Sequence, residues 1–432
     1  MLLVRSIIRW ALHNRSVVAV GTILLVLFGL RAAARLSIDA VPDVTNIQVQ
    51  IITTAPALSP TEVEQYISVP IERAMAGIPK TTEIRSLSKY GISVVTIAFE
   101  DGTDIYFARQ MISERMSDAL EAVPPEYGKP EMGPISTGLG EVFQFAVVGE
   151  SVSPALLKET LDWYIGPQLR MVPGVVEVNS FGGLTKQYEV ELDPQRMQAS
   201  GISAQDVIHA IDEANGNAGG GYLEKGDEQL VVGSLGLIRN VEDLRSVVLA
   251  ESADGVPVTI GRVASRIGEG AALRRGSASI DGKGEVTVGV VMMLMGANAR
   301  EVTAAVKAKI AELSPSLPAG IRIEPFYDRA ALVDRTIHTV GKNLIEGAIL
   351  VILVLVLLLG NVRGGAIVAT VIPLAMLFAA IVMQATGRSG NLMSLGAIDF
   401  GLLVDGAVIV IENAVRRMSE AQAVAGRDLD AE

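Results

Sequence analysis

The sequence predicts an α-helical transmembrane bundle that carries a large extracytoplasmic α+β body. Three observations predict this fold class: apolar stretches near both ends of the chain, an acidic central region of ordinary soluble composition, and a weak internal repeat within that region. Of the 432 residues, 50% are hydrophobic and 19% are charged. This average combines two unlike parts, because residues 1–35 carry five arginines and no acid, whereas residues 36–335 carry a net charge of −15.

The composition argues against several classes of function. The chain contains no cysteine, so it has no disulfide scaffold, no cysteine metal cage and no cysteine nucleophile. Its net charge of −12 argues against nucleic acid as a partner. The histidines, His13, His209 and His338, lack the spacing of a metal site, and no hydrolase or oxidoreductase constellation is present. We therefore expect a protein that is not an enzyme and needs no cofactor.

The first apolar stretch is an uncharged run over residues 17–30. Together with the alanines at 32–34 it is long enough for one transmembrane helix, since about 20 residues cross the bilayer core. The same stretch fits a cleaved signal peptide, with a basic start, a short apolar segment and the alanines as a small-residue cleavage site. Composition leaves these two alternatives open.

Three further transmembrane helices are predicted near the C-terminus, over residues 344–359, 366–385 and 392–411, joined by short linkers. If the N-terminal run is also a span, the chain crosses the membrane four times and both termini lie on one side. The excess of arginine near the termini places that side in the cytoplasm. The acidic body is then extracytoplasmic.

The acidic body contains a weak internal repeat. Ser59 and Ser153, 94 residues apart, each precede a proline that begins a helical pattern followed by a strand. Further on, two predicted strands over residues 92–99 and 286–295 each lead into a second helix, at an offset of 194 residues. Each copy is therefore a split βαβ, ferredoxin-like unit. The difference between the offsets predicts an insertion in the second copy, at about 181–278.

Three carboxylates, Asp399, Asp405 and Glu412, lie within or at the end of the last apolar stretch. A charged carboxylate at mid-membrane costs about 2.5–3.5 kcal/mol, so such residues are usually functional. We interpret them as groups that bind and release protons in a transport cycle, the alternative being neutral groups that hydrogen-bond between helices. No lysine follows Lys342, so a basic partner at membrane depth is missing from the sequence.

A cluster of methionines, Met292, Met293 and Met295, is the one group that suggests soft metal ions such as Cu(I) or Ag(I). In a strand, Met293 and Met295 would share a face with Val291 and fill the core instead. We favour the core interpretation, and the metal ligands are therefore unknown.

Several motifs resemble the resistance-nodulation-division (RND) permeases, and within them the heavy-metal efflux pumps of the CzcA/CusA type. They are SIDAVPDVTN at residues 37–46, VMMLMG at 291–296, and GAIDFGLLVDGA at 396–407 followed by Glu412 and Asn413. The drug-exporting branch usually has two adjacent aspartates where this chain has Asp405 and a glycine. The resemblance covers essentially the whole chain.

The resemblance implies a domain organisation with a retained first span. It comprises an N-terminal cytoplasmic amphipathic segment and first transmembrane helix (1–35), a first porter subdomain (36–134), a second, split porter subdomain (135–180 and 279–330), an inserted docking subdomain (181–278), transmembrane helices two to four (337–412) and a truncated cytoplasmic tail (413–432).

The resemblance also implies a function. Such permeases are homotrimers of the bacterial inner membrane that export heavy-metal cations in exchange for protons, together with a periplasmic adaptor protein and an outer-membrane channel. Asp399, Asp405 and Glu412 match their proton relay. Family members are about twice as long, so we expect this chain to be an N-terminal fragment, inactive alone, with the basic partner of Asp405 and the main metal ligands in the second half. The alternatives are an exporter of organic solutes and a non-transporting membrane-anchored scaffold or sensor.

Overall fold

The computed structural model describes most of the acidic body and parts of the apolar regions on either side of it. The described residues are 9–36, 43–226, 228–234, 236–251, 255–274, 276–282, 284–359, 362–386, 390, 406, 409–414, 416–417 and 420.

The N-terminal apolar run forms one helix, α1 (Arg15–Arg35), of 21 residues. At a rise of 1.5 Å per residue it is about 32 Å long, which matches the bilayer core. Within the described part of the chain it is the one helix long and apolar enough to cross a membrane, and a shorter apolar helical segment covers Ala369–Ala385. The helix includes the alanines at 32–34, and the choice between a retained span and a signal peptide stays open.

The first αβ unit follows α1. Its elements are β1 (Gln48–Thr54), α2 (Pro60–Met75, in three parts), β2 (Thr81–Lys89), β3 (Ile92–Phe99), α3 (Ile105–Ala122) and β4 (Glu131–Met132). The strands form one antiparallel sheet in the order β2-β3-β1-β4. This is the strand order of a split βαβ unit, with the two helices packed over a core that includes Ile51, Ile67, Ile97 and Ile112.

The second αβ unit begins with the same sequence of elements: β5 (Glu141–Gly149), α4 (Pro154–Arg170, in three parts) and β6 (Val175–Gly182). Both first helices start as the paired serines predict. The Ser59 hydroxyl accepts a hydrogen bond from the N–H of Glu62, and the Ser153 hydroxyl accepts one from the N–H of Leu156 at 3.2 Å. Each serine is followed by proline, which favours the first turn of a helix.

The two first helices also share an interruption that the sequence analysis did not anticipate. α2 contains a π-helical turn at Glu64–Ser68 and α4 contains one at Thr160–Ile165. In both, a proline follows within two residues, Pro70 and Pro167. Proline has no N–H and clashes with the carbonyl four residues earlier, so the helix widens by one residue to avoid it.

An insert separates β6 from the rest of the second unit. Its elements are β7 (Lys186–Leu192), α5 (Pro194–Ser200), α6 (Ala204–Ala214), β8 (Ala218–Lys225), β9 (Glu228–Ser234), α7 (Val241–Ser246), β10 (Val248–Glu251), β11 (Pro257–Thr259), α8 (Ile260–Val263) and β12 (Ala264–Ala271). β7 pairs with β12, β8 with β9 and β10 with β11, all antiparallel. A separate apolar cluster around Ile260 and Val263 forms its core.

The second unit then resumes with β13 (Ala278–Ser279), β14 (Glu285–Met293), α9 (Ala299–Leu313) and β15 (Ile321–Asp328). β14 lies between β6 and β5, and β15 pairs with the other edge of β5, so the order β6-β14-β5-β15 repeats that of the first unit. The subdomain boundaries drawn from the sequence stay predictions.

Two long helices complete the described fold: α10 (Arg329–Leu359), of 31 residues, and α11 (Val362–Ala385), of 24 residues. They contain the predicted spans at 344–359 and 366–385, although α10 starts 15 residues earlier, directly after β15. The predicted linker at 360–365 is too long, because α11 is already helical at Val362. The predicted span at 392–411 lies almost wholly outside the described residues, so crossing of the membrane by more than α1 stays a prediction.

Candidate functional site

The predicted proton relay lies mostly beyond the described part of the chain. Asp399 and Asp405 are outside the described residues. Glu412 lies in a helical segment over residues 409–414 and is exposed. The geometry of the three carboxylates relative to one another is therefore untested, and their role stays a prediction.

One methionine of the 292–295 cluster, Met293, lies in the apolar core. Met293 is buried beside Val291 in the apolar core of the second unit, as the core interpretation predicted. The prediction for Met295 was wrong, because β14 ends at Met293 and the N–H of Met295 donates to the carbonyl of Ile135 at 3.1 Å. Among the described residues no group of three or more histidine, aspartate or glutamate side chains could hold a metal ion.

The segment that links the two αβ units, residues 133–140, is where the described parts of the molecule meet, and we call it the connector. The first residue of the connector, Gly133, is hydrogen-bonded to the first αβ unit. The N–H of Gly133 donates to the carbonyl of Gln50 in β1 at 2.8 Å, and the guanidinium of Arg109 in α3 donates to the Gly133 carbonyl at 2.6 Å. Burial of Arg109 lowers the pKa of its guanidinium, which remains charged.

The second unit holds the rest of the connector. The Ser136 hydroxyl donates to the carbonyl of Met293 at 3.0 Å, and the N–H of Met293 donates to the carbonyl of Gly140 at 2.7 Å. The bond from the Met295 N–H to the Ile135 carbonyl lies on the side of the first αβ unit in the connector sequence, one residue before Ser136. Because three hydrogen bonds join the connector to the end of β14, a movement of the second unit also moves the connector.

Arg329, the first residue of α10, provides the contact between the connector and the membrane region. Its side chain is buried, with the residue only 5% exposed, and its guanidinium donates to the carbonyl of Leu139. The N–H of Leu139 donates in turn to the hydroxyl of Thr137 at 3.2 Å. A buried guanidinium needs compensating acceptors, which this carbonyl supplies in part.

Asp43, in the segment that follows α1, lies beside Thr137 of the connector and near Arg329. Its carboxylate accepts hydrogen bonds from the Thr137 hydroxyl and from the N–H of Thr45, the latter at 3.0 Å. Partial desolvation raises the pKa of Asp43, but these hydrogen bonds and the positive charge of Arg329 together lower it below its ordinary value. Asp43, Thr137, Leu139 and Arg329 thus form one polar network, which we call the junction network.

The N-terminal end of α10 also contacts the second αβ unit. Asp328, the last residue of β15, accepts a hydrogen bond from the N–H of Ala331 at 3.1 Å and forms an ion pair with Lys307 of α9. The guanidinium of Arg300 in α9 lies 3.2 Å from the carboxylate of Asp334 in α10 and forms a second ion pair. Val333 is fully buried between these contacts. The start of the helix is therefore held on one side by α9 and on the other by the connector.

A groove of about 570 Å³ runs beside the connector between the two αβ units. It is lined by Ile52, Thr54, Lys129, Glu131, Met132, Gly133, Pro134, Arg170, Val176 and Glu177. The two cationic and two anionic side chains give the lining no net formal charge. With one thioether and no histidine, this lining does not offer the set of donors that soft or borderline metal ions favour.

The β8–β9 hairpin of the insert exposes apolar side chains on a two-stranded ribbon. Tyr222 lies opposite Val231 and Leu223 lies opposite Leu230, and all four are at least half exposed. The two pairs lie on opposite faces of the ribbon, because successive side chains of a strand alternate, so both faces expose apolar groups. A two-stranded hairpin is marginally stable alone.

The comparisons with known proteins agree with this architecture. The model of the AcrB/AcrD/AcrF family matches residues 7–429, which is nearly the whole chain. The chain belongs to this family. The resemblance to the heavy-metal efflux branch of the RND permeases, read from the motifs at 37–46 and 396–407, is confirmed by the relatives that follow.

The chain is 46% identical to the cobalt-zinc-cadmium resistance protein CzcA of Cupriavidus metallidurans, over 98% of this chain and 40% of that protein. It is 38% identical to the cation efflux system protein CusA of Escherichia coli strain K12, over 97% of this chain and 40% of that protein. A crystal structure of a heavy metal efflux pump superposes with a TM-score of 0.82 at 36% identity, covering 96% of this chain and 40% of that one. The chain thus spans about 40% of the length of the relatives it matches.

Sequence reasoning missed the junction network. Asp43 lies inside a motif used for the resemblance, but nothing in the sequence connects it to Arg329, which is 286 residues away. One signal was present: an Asp-Arg pair, Asp328 and Arg329, stands at the boundary between a predicted body and a long apolar region. Charged residues at such a boundary are commonly exposed, so burial of Arg329 required the structure.

Proposed function

We propose that this chain is the amino-terminal part of a permease that exports heavy-metal cations across the bacterial inner membrane in exchange for protons. The observation that carries the proposal is the 46% identity to a cobalt-zinc-cadmium resistance protein over 98% of the chain. The fold supports it, since the chain superposes with a heavy metal efflux pump over 96% of its length. The protein acts as a secondary transporter and not as an enzyme, with the metal cation as its substrate.

In this mechanism Asp405 takes up a proton from the extracytoplasmic side, assisted by Asp399 and Glu412, and releases it to the cytoplasm. Neutralising a carboxylate in a low-dielectric bundle changes the electrostatic free energy of the helices that surround it, so they change their tilt. One charge that crosses a potential of 100 mV supplies about 2.3 kcal/mol, before any pH gradient. The αβ units then alternate between access, binding and extrusion.

The proposed assembly is a homotrimer that works with a periplasmic adaptor protein and an outer-membrane channel. The β8–β9 hairpin supports the trimer, because its exposed apolar pairs fit insertion into a neighbouring protomer. The remaining residues of the permease, including a basic partner for Asp405 and the main metal ligands, belong to a second half. Sequencing the DNA downstream of codon 432 tests this directly: a frame that continues into a second pair of αβ units supports it, and a gene that stops there contradicts it.

The transport experiment uses the complete permease, meaning this chain joined to the second half that its relatives possess, reconstituted in vesicles. We expect proton-coupled uptake of Zn²⁺, Co²⁺, Cd²⁺, Cu⁺ or Ag⁺, and loss of that flux in Asp405→Asn with expression and trimer formation intact. Glu420→Gln is the matched control, since Glu420 is an exposed acid eight residues beyond Glu412. Flux of organic solutes alone would support the organic exporter, and no flux at all would support the scaffold.

A further inference from the structure

The junction network joins three separate parts of the chain. Asp43 follows α1, Thr137 and Leu139 belong to the connector, and Arg329 starts α10. These groups are linked one to the next: the Thr137 hydroxyl donates to the Asp43 carboxylate, the Leu139 N–H donates to the Thr137 hydroxyl, and the Arg329 guanidinium donates to the Leu139 carbonyl. The positive charge of Arg329 also acts on Asp43.

α10 is a single element from the body to the apolar region. Its 31 residues form one unbroken helix of about 46 Å, and it begins directly where β15 ends. A straight helix transmits a change of tilt from one end to the other, because its backbone hydrogen bonds resist bending. A movement of the membrane part of α10 therefore displaces Arg329.

The connector is hydrogen-bonded to both αβ units, so a displacement of Arg329 can reach both of them. Its first residue, Gly133, is bonded to β1 and to Arg109 of the first unit, and its last residue, Gly140, is bonded to Met293 of the second unit. Leu139 and Thr137 lie between these attachments. A displacement of Arg329 thus acts on both αβ units through one backbone segment.

We propose that Arg329 is a positioning residue for transport: its contact with Leu139, stabilised by Asp43 through Thr137, transmits the movement of α10 to both αβ units. This inference rests on the proposed transport function. The alternative is a structural role in which Arg329 only fills and stabilises the interface. The two differ in what a conservative substitution does to the rate of transport.

The experiment measures metal flux against metal concentration in vesicles that contain the complete permease. Variants are Arg329→Gln, Arg329→Lys, Asp43→Asn and the double variant Arg329→Gln/Asp43→Asn. Arg335→Gln is the matched control, since Arg335 is an exposed arginine of the same helix, six residues further on. Hydrogen exchange is measured on the same samples for β5 and for the backbone amides within residues 134–140, where Pro134 has no N–H. Exchange of β5 shows whether each variant is folded.

We expect Arg329→Gln to lower maximal flux at least 10-fold with the half-saturating metal concentration unchanged, because metal binding does not involve the network. Arg329→Lys retains the charge and should recover at least a third of the flux. The double variant should fall no further than Arg329→Gln, since both residues act through one network. Exchange at 134–140 should rise about 10-fold in Arg329→Gln, with β5 unchanged.

The outcomes separate this inference from the proposed function. Metal flux in the parent and in Arg335→Gln, with Arg329→Gln equally active, overturns the role of Arg329 and leaves transport intact. Multiplicative losses in the double variant also overturn it. So does a loss of flux in Arg329→Gln that is accompanied by faster amide exchange throughout β5, because the variant is then destabilised as a whole. No metal flux in the parent removes the proposed function itself, and this inference with it.

Discussion

Gly29 of α1 lies directly against Leu377 of α11: a Cβ atom at position 29 would stand 2.5 Å from the Leu377 Cβ. The absence of a side chain at Gly29 is therefore what allows these two helices to pack closely. Small residues at helix crossings are typical of membrane proteins, where van der Waals packing drives association.

Replacing Gly29 by leucine should separate α1 from α11. The added side chain overlaps the Leu377 side chain, and overpacking of this kind costs about 1–3 kcal/mol. We expect a lower midpoint of thermal unfolding for the complete permease in detergent. Gly21→Leu is the matched control, because a Cβ atom there meets nothing within 4 Å. An equal loss of stability in both variants would contradict the contact, whereas recovery in Gly29→Leu/Leu377→Ala would support it.

A charge on the β8–β9 hairpin should prevent trimer formation. Val231 is 88% exposed, and Val231→Glu would place a carboxylate in the apolar surface that the proposed neighbouring protomer covers. We expect monomers by light scattering in detergent, with the unfolding temperature of the αβ units unchanged. Leu273→Glu is the control, since Leu273 is also 88% exposed but lies outside the hairpin. A stable trimer of Val231→Glu would exclude the hairpin from the interface.

The junction network should make stability depend on pH in the acid range. The pKa of Asp43 is lowered in the folded protein, so ionised Asp43 stabilises the fold above its ordinary pKa of 3.8. This contribution is lost as the pH falls through the lowered value. We expect Asp43→Asn to unfold at a lower temperature than the parent at neutral pH, and the difference to disappear as the pH falls below 3.8 and through the lowered pKa of Asp43. Melting curves of both proteins across this range measure it, with exposed Asp118→Asn as control.

The core of the first αβ unit contains hydroxyl groups whose substitution should have opposite effects. Ser68 is fully buried, and its hydroxyl lies 2.7 Å from that of Ser88 and 2.8 Å from that of Ser93. Ser68→Ala leaves two hydroxyls without this partner and should destabilise the protein by about 1–3 kcal/mol.

Thr53 lies opposite Ser93 in the β1–β3 pair and is also fully buried. Within the described structure its hydroxyl has no hydrogen-bond partner. Thr53→Val replaces that hydroxyl by a methyl group of similar size and should stabilise the protein by about 1 kcal/mol. Denaturant unfolding measures the free energy of unfolding of both variants, which should fall in Ser68→Ala and rise in Thr53→Val. A loss of stability in Thr53→Val would show that the hydroxyl is solvated or bonded.

The sequence predicted those parts of the fold that depend on local patterns. The paired serines at 59 and 153 begin helices as expected, and the strand predicted at 92–99 is β3 with the same bounds. Those features follow from capping chemistry and alternation of apolar residues, which act over a few positions. The predicted strand at 286–295 was two residues too long, because the connector competes for the backbone of Met295.

The junction network and the Gly29 contact could not be predicted in this way. Each joins residues that are hundreds of positions apart, and a single sequence contains no signal for which distant groups meet. Asp399 and Asp405 were recognisable because a carboxylate in an apolar stretch is unusual in itself. Arg329 was not, since an arginine between a strand and a helix is ordinary until its burial is known.

The insert occupies the place of a tight turn. In the first unit β2 and β3 are joined by two residues, Tyr90 and Gly91, with Gly91 at a φ of +72°. In the second unit the equivalent neighbours, β6 and β14, are joined through β7–β13, and the sheet order is the same. Because the ribbon of β7 and β12 enters and leaves side by side, a hairpin turn can accept or lose an entire folded module without disturbing the strands it connects. The insert can therefore vary in size and surface while the strand order of the sheet that carries it stays the same.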